Sequence, residues 1–252
     1  MSIEDFVFKQ TENSSCVHLT LQGKGGVGKS FVSSLLAQYF QHRGDELRCF
    51  DTDPVNKTLT RFQALNAVPV DLMNGSSVDD RKFDNLIEEL MAYEGQIVID
   101  NGASTFIPLS SYLIENDVIS MLAESGRDVH VHCVIKGGQD LLDTMSGFKV
   151  LANQPTVESI VVWLNEYAGQ IEYQGKKFEE MSFYQDHADK VAGIIRIPER
   201  NPQTFGTDIR LMVERNLTFA EALTDAEFSI MARRRLKMMR DDVFLQIDRI
   251  GV

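Results

Sequence analysis

Residues 23–30 read Gly-Lys-Gly-Gly-Val-Gly-Lys-Ser and fit the pattern GxxxxGK[ST], which is typical of loops that bind nucleotide phosphates. The glycines let the backbone curl so that several N–H groups point at phosphate oxygens. In that arrangement Lys29 would reach the β- and γ-phosphates, and the Ser30 hydroxyl would bind Mg²⁺. A glycine-rich turn that merely caps a helix is the alternative. It is disfavoured because the pattern follows a predicted strand and opens a predicted helix.

Lys24 is a second cation, placed early in the same loop. From the residue types alone, a solvated surface lysine and a phosphate-binding lysine are equally good interpretations. We predict a catalytic role for Lys29. Nucleotide contacts are predicted along the loop and into the first turn that follows, at Gly23, Lys24, Gly25, Gly26, Val27, Gly28, Lys29, Ser30 and Phe31.

Three aspartates, Asp51, Asp53 and Asp100, follow predicted strands, at the edge where ligands bind in open α/β sheets. Asp100 closes the apolar run QIVID, a pattern that places a carboxylate near Mg²⁺ in phosphate-loop enzymes. Asp53 precedes Pro54, so it could also cap a helix whose first residue is proline. Gly102 would let the backbone approach the γ-phosphate and sense hydrolysis.

Strand-like runs alternate with segments of helical period along the chain. This alternation predicts an α/β fold with a doubly wound, mostly parallel sheet flanked by helices. The predicted strands are 17–21, 47–51, 96–100, 129–135, 160–165 and 191–197. The predicted helices are 29–42, one from near Pro54, 80–93 (with Phe83, Leu86, Ile87 and Leu90 on one face), about 108–123, and 139–152.

One domain over residues 1–252 is expected, with a short N-terminal extension at 1–15, an insertion at 166–189 and a C-terminal helix at about 225–250. That helix could dock with a solvated basic edge, contact DNA or an acidic partner, or insert into a membrane. The first reading is favoured, and its aspartates disfavour the last. Its basic residues are Arg233, Arg234, Arg235, Lys237 and Arg240; Phe228, Met231, Met239, Val243 and Ile247 are predicted to face inward.

Composition limits the classes of function. The formal net charge is −12, which disfavours nonspecific coating of DNA. Three scattered cysteines, no apolar run long enough to span a bilayer and an acidic N-terminus favour a cytoplasmic protein that does not enter the membrane. His130 and His132 share a strand face but lack a third ligand, so we interpret them as structural. Trp163 is predicted to lie in the core.

The run KGGVGKS resembles the deviant Walker A box of ParA/MinD-type ATPases, which carries an extra lysine where Lys24 stands. The resemblance implies a SIMIBI-like P-loop NTPase that binds ATP and Mg²⁺. It also implies that Lys24 has a catalytic role and reaches the phosphates of a partner subunit in a nucleotide-bound homodimer. Residues 51–54 resemble the family's DxDP segment, which implies that Asp51 helps hold Mg²⁺ with Ser30 and Asp100, and that Asp53 orients the attacking water.

The same resemblance concerns the base. Asn165 ends the run IVVWLN, and Pro198 follows another strand, at positions that match adenine contacts in ParA/MinD relatives. No NKxD guanine motif follows Asn165, so ATP is favoured over GTP. A residue that simply closes the strand in a turn is the alternative for Asn165.

A narrower resemblance, over about residues 17–225, is to the TraL-type ATPases of conjugative plasmid transfer. It rests on LQGKGGVGKS, LLAQYF, DTDPVN, VIDNGAS, PLSSYLI, LLDTMSGF and VVWLNEY. It implies an ATP-hydrolysing dimerisation switch with a protein partner in the DNA-transfer machinery. A ParA-like partition ATPase is an alternative, although the acidic charge argues against operator binding. An ATP-dependent ligase of the dethiobiotin-synthetase type is a second, for which no carboxylate pocket is recognisable.

Overall fold

The computed structural model describes residues 15–74 and 77–252. Its strands are β1 (Cys16–Thr20), β2 (Leu47–Asp51), β3 (Val68–Pro69), β4 (Met73–Asn74), β5 (Ser77–Val78), β6 (Gln96–Asp100), β7 (Asp128–Lys136), β8 (Ile160–Asn165), β9 (Glu172–Tyr173), β10 (Lys176–Lys177) and β11 (Val191–Ile197). Its α-helices are α1 (Lys29–Arg43), α2 (Asp80–Ala92), α3 (Phe106–Glu115), α4 (Val118–Glu124), α5 (Leu141–Ala152), α6 (Ser182–Gln185), α7 (Phe205–Glu214), α8 (Phe219–Thr224) and α9 (Ile230–Ile250). Of the predicted N-terminal extension, residues 1–14 lie outside the described residues.

Seven strands form the central sheet in the order β11-β8-β7-β1-β6-β2-β3, and every neighbouring pair is parallel. The predicted doubly wound α/β architecture is confirmed. Because β6 lies between β1 and β2 and all three are parallel, their carboxyl ends lie side by side at one edge of the sheet. Asp51 and Asp100 are register partners at that edge. The topology therefore brings together residues that are far apart in sequence.

Helices cover both faces of the sheet. One apolar cluster joins the sheet to α2, α3, α4 and α5, and the other joins it to α1, α7, α8 and α9. The predicted apolar face of α2, from Phe83 to Leu90, is buried. Within the described part of the chain, no helix combines the length and the apolar character needed to cross a membrane.

Two predicted helices were wrong in extent or existence. No α-helix begins near Pro54; instead Asp53 Oδ1 accepts the N–H groups of Val55 and Asn56 at 2.8 and 3.0 Å in a turn. Lys57 then takes φ 44°, which prevents α-helical continuation. The helix predicted over about 108–123 is α3 and α4, broken where Asp117 takes φ 47°.

The predicted insertion at 166–189 folds as the β9–β10 hairpin, short helical turns and α6. It is not a solvated loop, because Phe178 is fully buried and packs edge-on against Phe148 of α5. The C-terminal helix begins at Ile230, later than predicted. Four of its five predicted inward residues are buried, but Met231 is 61% exposed, because it lies on the opposite side of α9 from the buried residues.

His18 and His132 lie on neighbouring strands of the sheet and are fully buried. His132 Nε2 lies 3.0 Å from His18 Nδ1, and Trp163 Nε1 donates to His132 Nδ1 at 2.9 Å. Burial lowers the pKa of His18 to about 3 and that of His132 well below its ordinary value. Among the described residues, no group of three or more His, Cys, Asp or Glu side chains is arranged to hold a metal ion. His130 Nδ1 lies 2.7 Å from Ser159 Oγ, and Trp163 is fully buried. These contacts agree with the structural interpretation of His130 and His132 and with a core position for Trp163.

Candidate functional site

The loop at residues 23–30 connects β1 to α1 at the carboxyl edge of the sheet. Gly26 and Gly28 take φ values of 70° and 107°, in the left-handed region that favours glycine. A Cβ on Gly28 would lie 3.0 Å from Asn165 Nδ2. The loop therefore needs glycine at position 28 both for its backbone conformation and for its contact with the end of β8.

Lys29 begins α1 and is only 7% exposed. Its ammonium donates to the Lys24 carbonyl at 2.9 Å, so the side chain folds back over its own loop. Burial lowers the pKa of Lys29, while the charges of Asp100 and Asp53 act in the opposite direction. The buried Lys29 ammonium therefore lies between the loop backbone and the carboxylates of Asp100 and Asp53. Its positive charge would attract an anionic group that enters the loop.

Asp100 ends β6 and is fully buried. Its Oδ1 accepts the Ser33 hydroxyl at 3.0 Å. Its Oδ2 has no hydrogen-bond partner within the described chain, although the Ser30 hydroxyl is near enough to lower the pKa. Burial outweighs that effect and, with the charge of Asp51, raises the pKa of Asp100 to about 7. An orphaned carboxylate oxygen beside a serine hydroxyl fits a hydrated divalent cation.

Asp51 lies beside Asp100 but has its oxygens engaged within the chain. Oδ2 accepts from the N–H and hydroxyl of Thr60 at 3.0 and 2.9 Å, and Oδ1 accepts the N–H of Asp53 at 3.1 Å. Asp51 therefore anchors the segment that carries Asp53. A water-mediated contact with a cation is compatible with these bonds, because among the described residues Oδ1 accepts only one hydrogen bond and has a second lone pair.

Asp53 lies in the turn after β2 and faces Gly102. Burial alone would raise its pKa, but hydrogen bonds from Asn56 and Val55 and the charge of Lys29 bring the pKa below its ordinary value. A Cβ on Gly102 would lie 2.8 Å from Asp53 Cγ, so only glycine permits this approach. The geometry holds an ionised carboxylate against the segment that follows Asp100.

Lys24 points away from its own loop. Its ammonium lies 2.7 Å from Asp143 Oδ2 and 3.6 Å from Asp140 Oδ1, both at the start of α5, and its side chain is 39% exposed. The Asp143 hydrogen bond is the largest influence that raises the pKa of Lys24. The two loop lysines therefore differ in direction: Lys29 is turned inward and Lys24 outward.

Asn165 and Pro198 lie at the carboxyl ends of the paired strands β8 and β11. Asn165 Nδ2 donates to the Val27 carbonyl at 3.0 Å, and its Oδ1 accepts the Tyr167 N–H at 3.2 Å. Pro198 lines an open depression of about 440 Å³ beyond β8 and β11. The other lining residues are Glu166, Gln170, Glu199, Arg200, Asn201 and Pro202.

Sequence reasoning missed three residues of the site. Lys136, at the end of β7, donates to the Gly26 carbonyl at 3.1 Å and pairs with Asp140 at 2.8 Å. Asp140 and Asp143 hold Lys24. Lys136 could have been found from the sequence, because a lysine at the end of a predicted strand can lie beside the loop that follows β1. Nothing in the sequence marks the two aspartates, because their role depends on where α5 begins.

The comparisons with known proteins agree with this geometry. Residues 19–207 match the family model described as the CobQ/CobB/MinD/ParA nucleotide binding domain. This match covers more than half of the chain, which therefore belongs to that family of nucleotide-binding P-loop proteins. Over 237 residues the chain is 46% identical to Protein TraL of Escherichia coli, covering 94% of this chain and 98% of TraL. Both resemblances inferred from the sequence are confirmed.

Two solved structures share the fold at low sequence identity. MinD in a MinC:MinD cell division protein complex from Aquifex aeolicus superposes with a TM-score of 0.55 and 14% identity, over 90% of this chain and 94% of that chain. MinD from Pyrococcus horikoshii, complexed with Mg-ADP, gives 0.50 and 17%, over 93% and 98%. These likenesses support the fold alone.

Proposed function

We propose that the protein is an ATP-binding and ATP-hydrolysing dimerisation switch that acts in conjugative plasmid DNA transfer. The observation that carries this proposal is the opposite direction of the two lysines in one phosphate loop. Lys29 is buried within its own site, whereas Lys24 is held outward by Asp143 at 2.7 Å. A lysine held at the surface is placed to serve a neighbouring copy more readily than its own chain.

In this proposal the loop backbone from Gly23 to Phe31, with Lys29, holds the triphosphate. Ser30 and Asp100 hold Mg²⁺, with Asp51 contributing through water. The orphaned Oδ2 of Asp100 supports this assignment. Bound Mg²⁺ would neutralise charge on the phosphate oxygens. The buried Asp100 carboxylate is then completed by the ligand instead of being left with an unsatisfied acceptor.

Asp53 is proposed to orient the attacking water. Its lowered pKa keeps it an ionised acceptor at neutral pH. Both of its oxygens already accept hydrogen bonds from Asn56, and one also accepts from Val55, so the carboxylate is fixed in direction. Gly102, packed against Asp53, would transmit the state of the γ-phosphate to the segment before α3.

The dimer is supported by the surface around the loop. Val55, Ile107 and Leu142 are 76%, 72% and 52% exposed, and each lies on a segment that also carries a site residue. Val55 lies two residues after Asp53, Ile107 is the second residue of α3, and Leu142 precedes Asp143. These three exposed apolar side chains are available to a second copy that covers the loop. A second copy would bury them and bring its Lys24 to the phosphates.

Adenine is proposed to lie near Asn165 and Pro198. The depression lined by Pro198 is also lined by Glu166, the residue after Asn165, and Asn165 contacts the loop at Val27. Asn165 would have to exchange its hydrogen bond to the loop for one to the base. Its amide can do so because Oδ1 and Nδ2 each have further bonding capacity.

A protein partner in the DNA-transfer machinery is proposed from the similarity to TraL. Direct DNA contact through α9 receives less support. Arg235 pairs with Asp208, and Lys237 and Arg240 both pair with Asp241, so three of the five predicted basic residues already contact carboxylates. A protein is therefore better supported than DNA as the target of the switch.

The test combines molecular mass in solution with phosphate release, measured with Mg·ATP and with Mg·ADP. Wild type is expected to dimerise with Mg·ATP only. Lys24→Ala is expected to remain monomeric while still binding ATP, and Asp53→Ala to dimerise without turnover. Lys149→Ala, an exposed lysine on α5, is the matched control and should behave as wild type. A wild-type protein that stays monomeric with Mg·ATP would contradict the proposal.

The role in conjugation is tested separately by plasmid transfer frequency in a strain that lacks the chromosomal or plasmid copy of this protein. Wild type and Lys149→Ala should restore transfer, whereas Lys24→Ala and Asp53→Ala should not. Restoration by Lys24→Ala would show that transfer does not depend on the ATP-bound dimer.

A further inference from the structure

The outer face of α9 carries a regular pattern that the nucleotide site does not use. Met231, Met238 and Leu245 are spaced seven residues apart and are 61%, 43% and 43% exposed. Seven residues are nearly two helical turns, so the three side chains lie in one stripe along the helix. The buried residues of α9, including Leu236 and Val243, lie on the opposite side and pack against the sheet.

Charged residues alternate with the apolar ones in the same stripe. Arg234, Asp241 and Asp248 are exposed and are also spaced seven residues apart, each three residues after an apolar member. Together the six residues form a heptad seam with apolar a positions and charged d positions. We call it the α9 seam: Met231, Arg234, Met238, Asp241, Leu245 and Asp248. Its first half carries positive charge and its second half negative charge.

We infer that the α9 seam pairs with the α9 seam of a second copy, in antiparallel orientation and independently of nucleotide. The charge order selects this occupant. In a parallel pair, Arg234 would face Arg234 and each aspartate would face itself, so every charged layer would be repulsive. In an antiparallel pair centred on Met238, Arg234 of each copy lies beside Asp241 of the other, and the apolar residues fill the layers on either side.

The seam is available because its charges are only weakly committed within the chain. Asp241 pairs with Lys237 and with Arg240, and its own side chain stays 45% exposed in these contacts. Asp248 accepts the Tyr39 hydroxyl at 3.2 Å and remains exposed. Surface pairs of this kind contribute little and exchange partners readily. Such an interface is isologous, because the same residues contribute from both copies.

The α9 seam is separate from the surface proposed to close around ATP. α9 packs on α1 and β11, on the opposite face of the sheet from α5, and the loop lies at the carboxyl edge. Each copy would therefore have two different self-complementary surfaces. Two such interfaces on one chain build assemblies larger than a dimer when both are engaged. The seam thus provides a second, constitutive contact.

The experiment is sedimentation equilibrium of the nucleotide-free full chain up to millimolar concentration. We expect a reversible monomer–dimer equilibrium. Arg234→Glu places a glutamate against Asp241 and should weaken the dimer at least about tenfold. Asp241→Arg should weaken it similarly, because it places an arginine against Arg234. Arg81→Glu, an exposed arginine on α2, is the matched control and should leave the dimer unchanged.

Mixing the Arg234→Glu and Asp241→Arg variants is the decisive arm. In the mixed dimer, the glutamate introduced in one copy faces the arginine introduced in the other. The unchanged Arg234 and Asp241 also face each other, so both charged layers are attractive. We expect the mixture to recover wild-type association, with far-UV circular dichroism confirming that each variant is folded. A monomeric wild type, or a mixture that stays monomeric, overturns the inference. Failure of the ATP-dependent dimer would leave this result unaffected, because no nucleotide is present.

Discussion

The phosphate loop has two halves that differ in how completely the chain satisfies them. In the inner half, Lys29 is 7% exposed and lies among Asp100, Asp53 and the loop carbonyls. In the outer half, Lys24 is exposed and held by Asp143 and Asp140 of α5. In the inner half, the charges lie close together but Asp100 Oδ2 has no hydrogen-bond partner among the described residues. In the outer half, Lys24 is paired with carboxylates at the surface.

The two halves therefore differ in how strongly their charges interact. Buried charges interact strongly because little water screens them, so changes in the inner half should alter ligand affinity and stability. Exposed pairs contribute little to stability. A lysine kept on the outside can therefore be redirected to another molecule at low cost. Substitutions in the inner half should therefore have larger effects than substitutions in the outer half.

Lys29→Ala should lower the affinity for Mg·ATP roughly 10- to 100-fold, the amount expected when a charged hydrogen bond is lost. The variant should remain folded, because alanine removes a buried cation whose pKa burial already lowers. Isothermal titration calorimetry measures the affinity. Lys149→Ala is the control on an exposed helix face. Unchanged affinity in Lys29→Ala would show that the buried lysine is only structural.

Asp100→Asn should change how stability depends on pH. The pKa of Asp100 is raised to about 7 in the folded protein, and a free carboxyl group titrates near about 4. Between these values the folded state binds the extra proton, so the wild type loses stability as pH rises from about 4 to about 7. Asparagine does not titrate, so the variant does not lose stability in this way as the pH rises. The variant should therefore be more stable than wild type at about pH 8.

Urea unfolding of the nucleotide-free protein in EDTA, at about pH 5 and about pH 8, measures this effect. The stability difference between variant and wild type should grow with pH, by at most a few kcal/mol. Asp186→Asn, an exposed aspartate outside the site, should show no such growth. An Asp100→Asn variant that is uniformly destabilised at both pH values would contradict the raised pKa.

Much of the fold and the inner half of the site followed from the sequence. The runs around β2, β6 and β8 were predicted with the bounds that the structure has, because continuous apolar strands between polar turns are local signals. The glycine-rich loop and the strand-then-aspartate pattern are also local. Parallel pairing then places Asp51 beside Asp100 without any further information.

The features that were missed depend on contacts between distant segments. The predicted helix near Pro54 fails because Asp53 is engaged in a turn that ends at Lys57 in the left-handed region. The direction of Lys24 depends on where α5 begins, which brings Asp143 within 2.7 Å. The exposure of Met231 depends on how α9 is rotated on the sheet. Sequence periodicity gives a face, but not which element covers it.

Asp143→Asn tests the outer half, and its expected effect is the smallest. The melting temperature should not change measurably, because the Lys24–Asp143 pair is exposed. Removing the carboxylate should free Lys24 for a neighbouring copy, while Asp140 at 3.6 Å keeps part of the restraint. The protein concentration needed for half-dimerisation with Mg·ATP should fall roughly two- to fivefold.

Light scattering with Mg·ATP measures that concentration, with Asp186→Asn as the matched control. The sign of the result decides between two roles for Asp143. Easier dimerisation means that the carboxylate restrains Lys24 in the monomer. Loss of the dimer would instead mean that Asp143 receives the Lys24 of the neighbouring copy, and the outer half would then be part of the interface rather than a restraint on it.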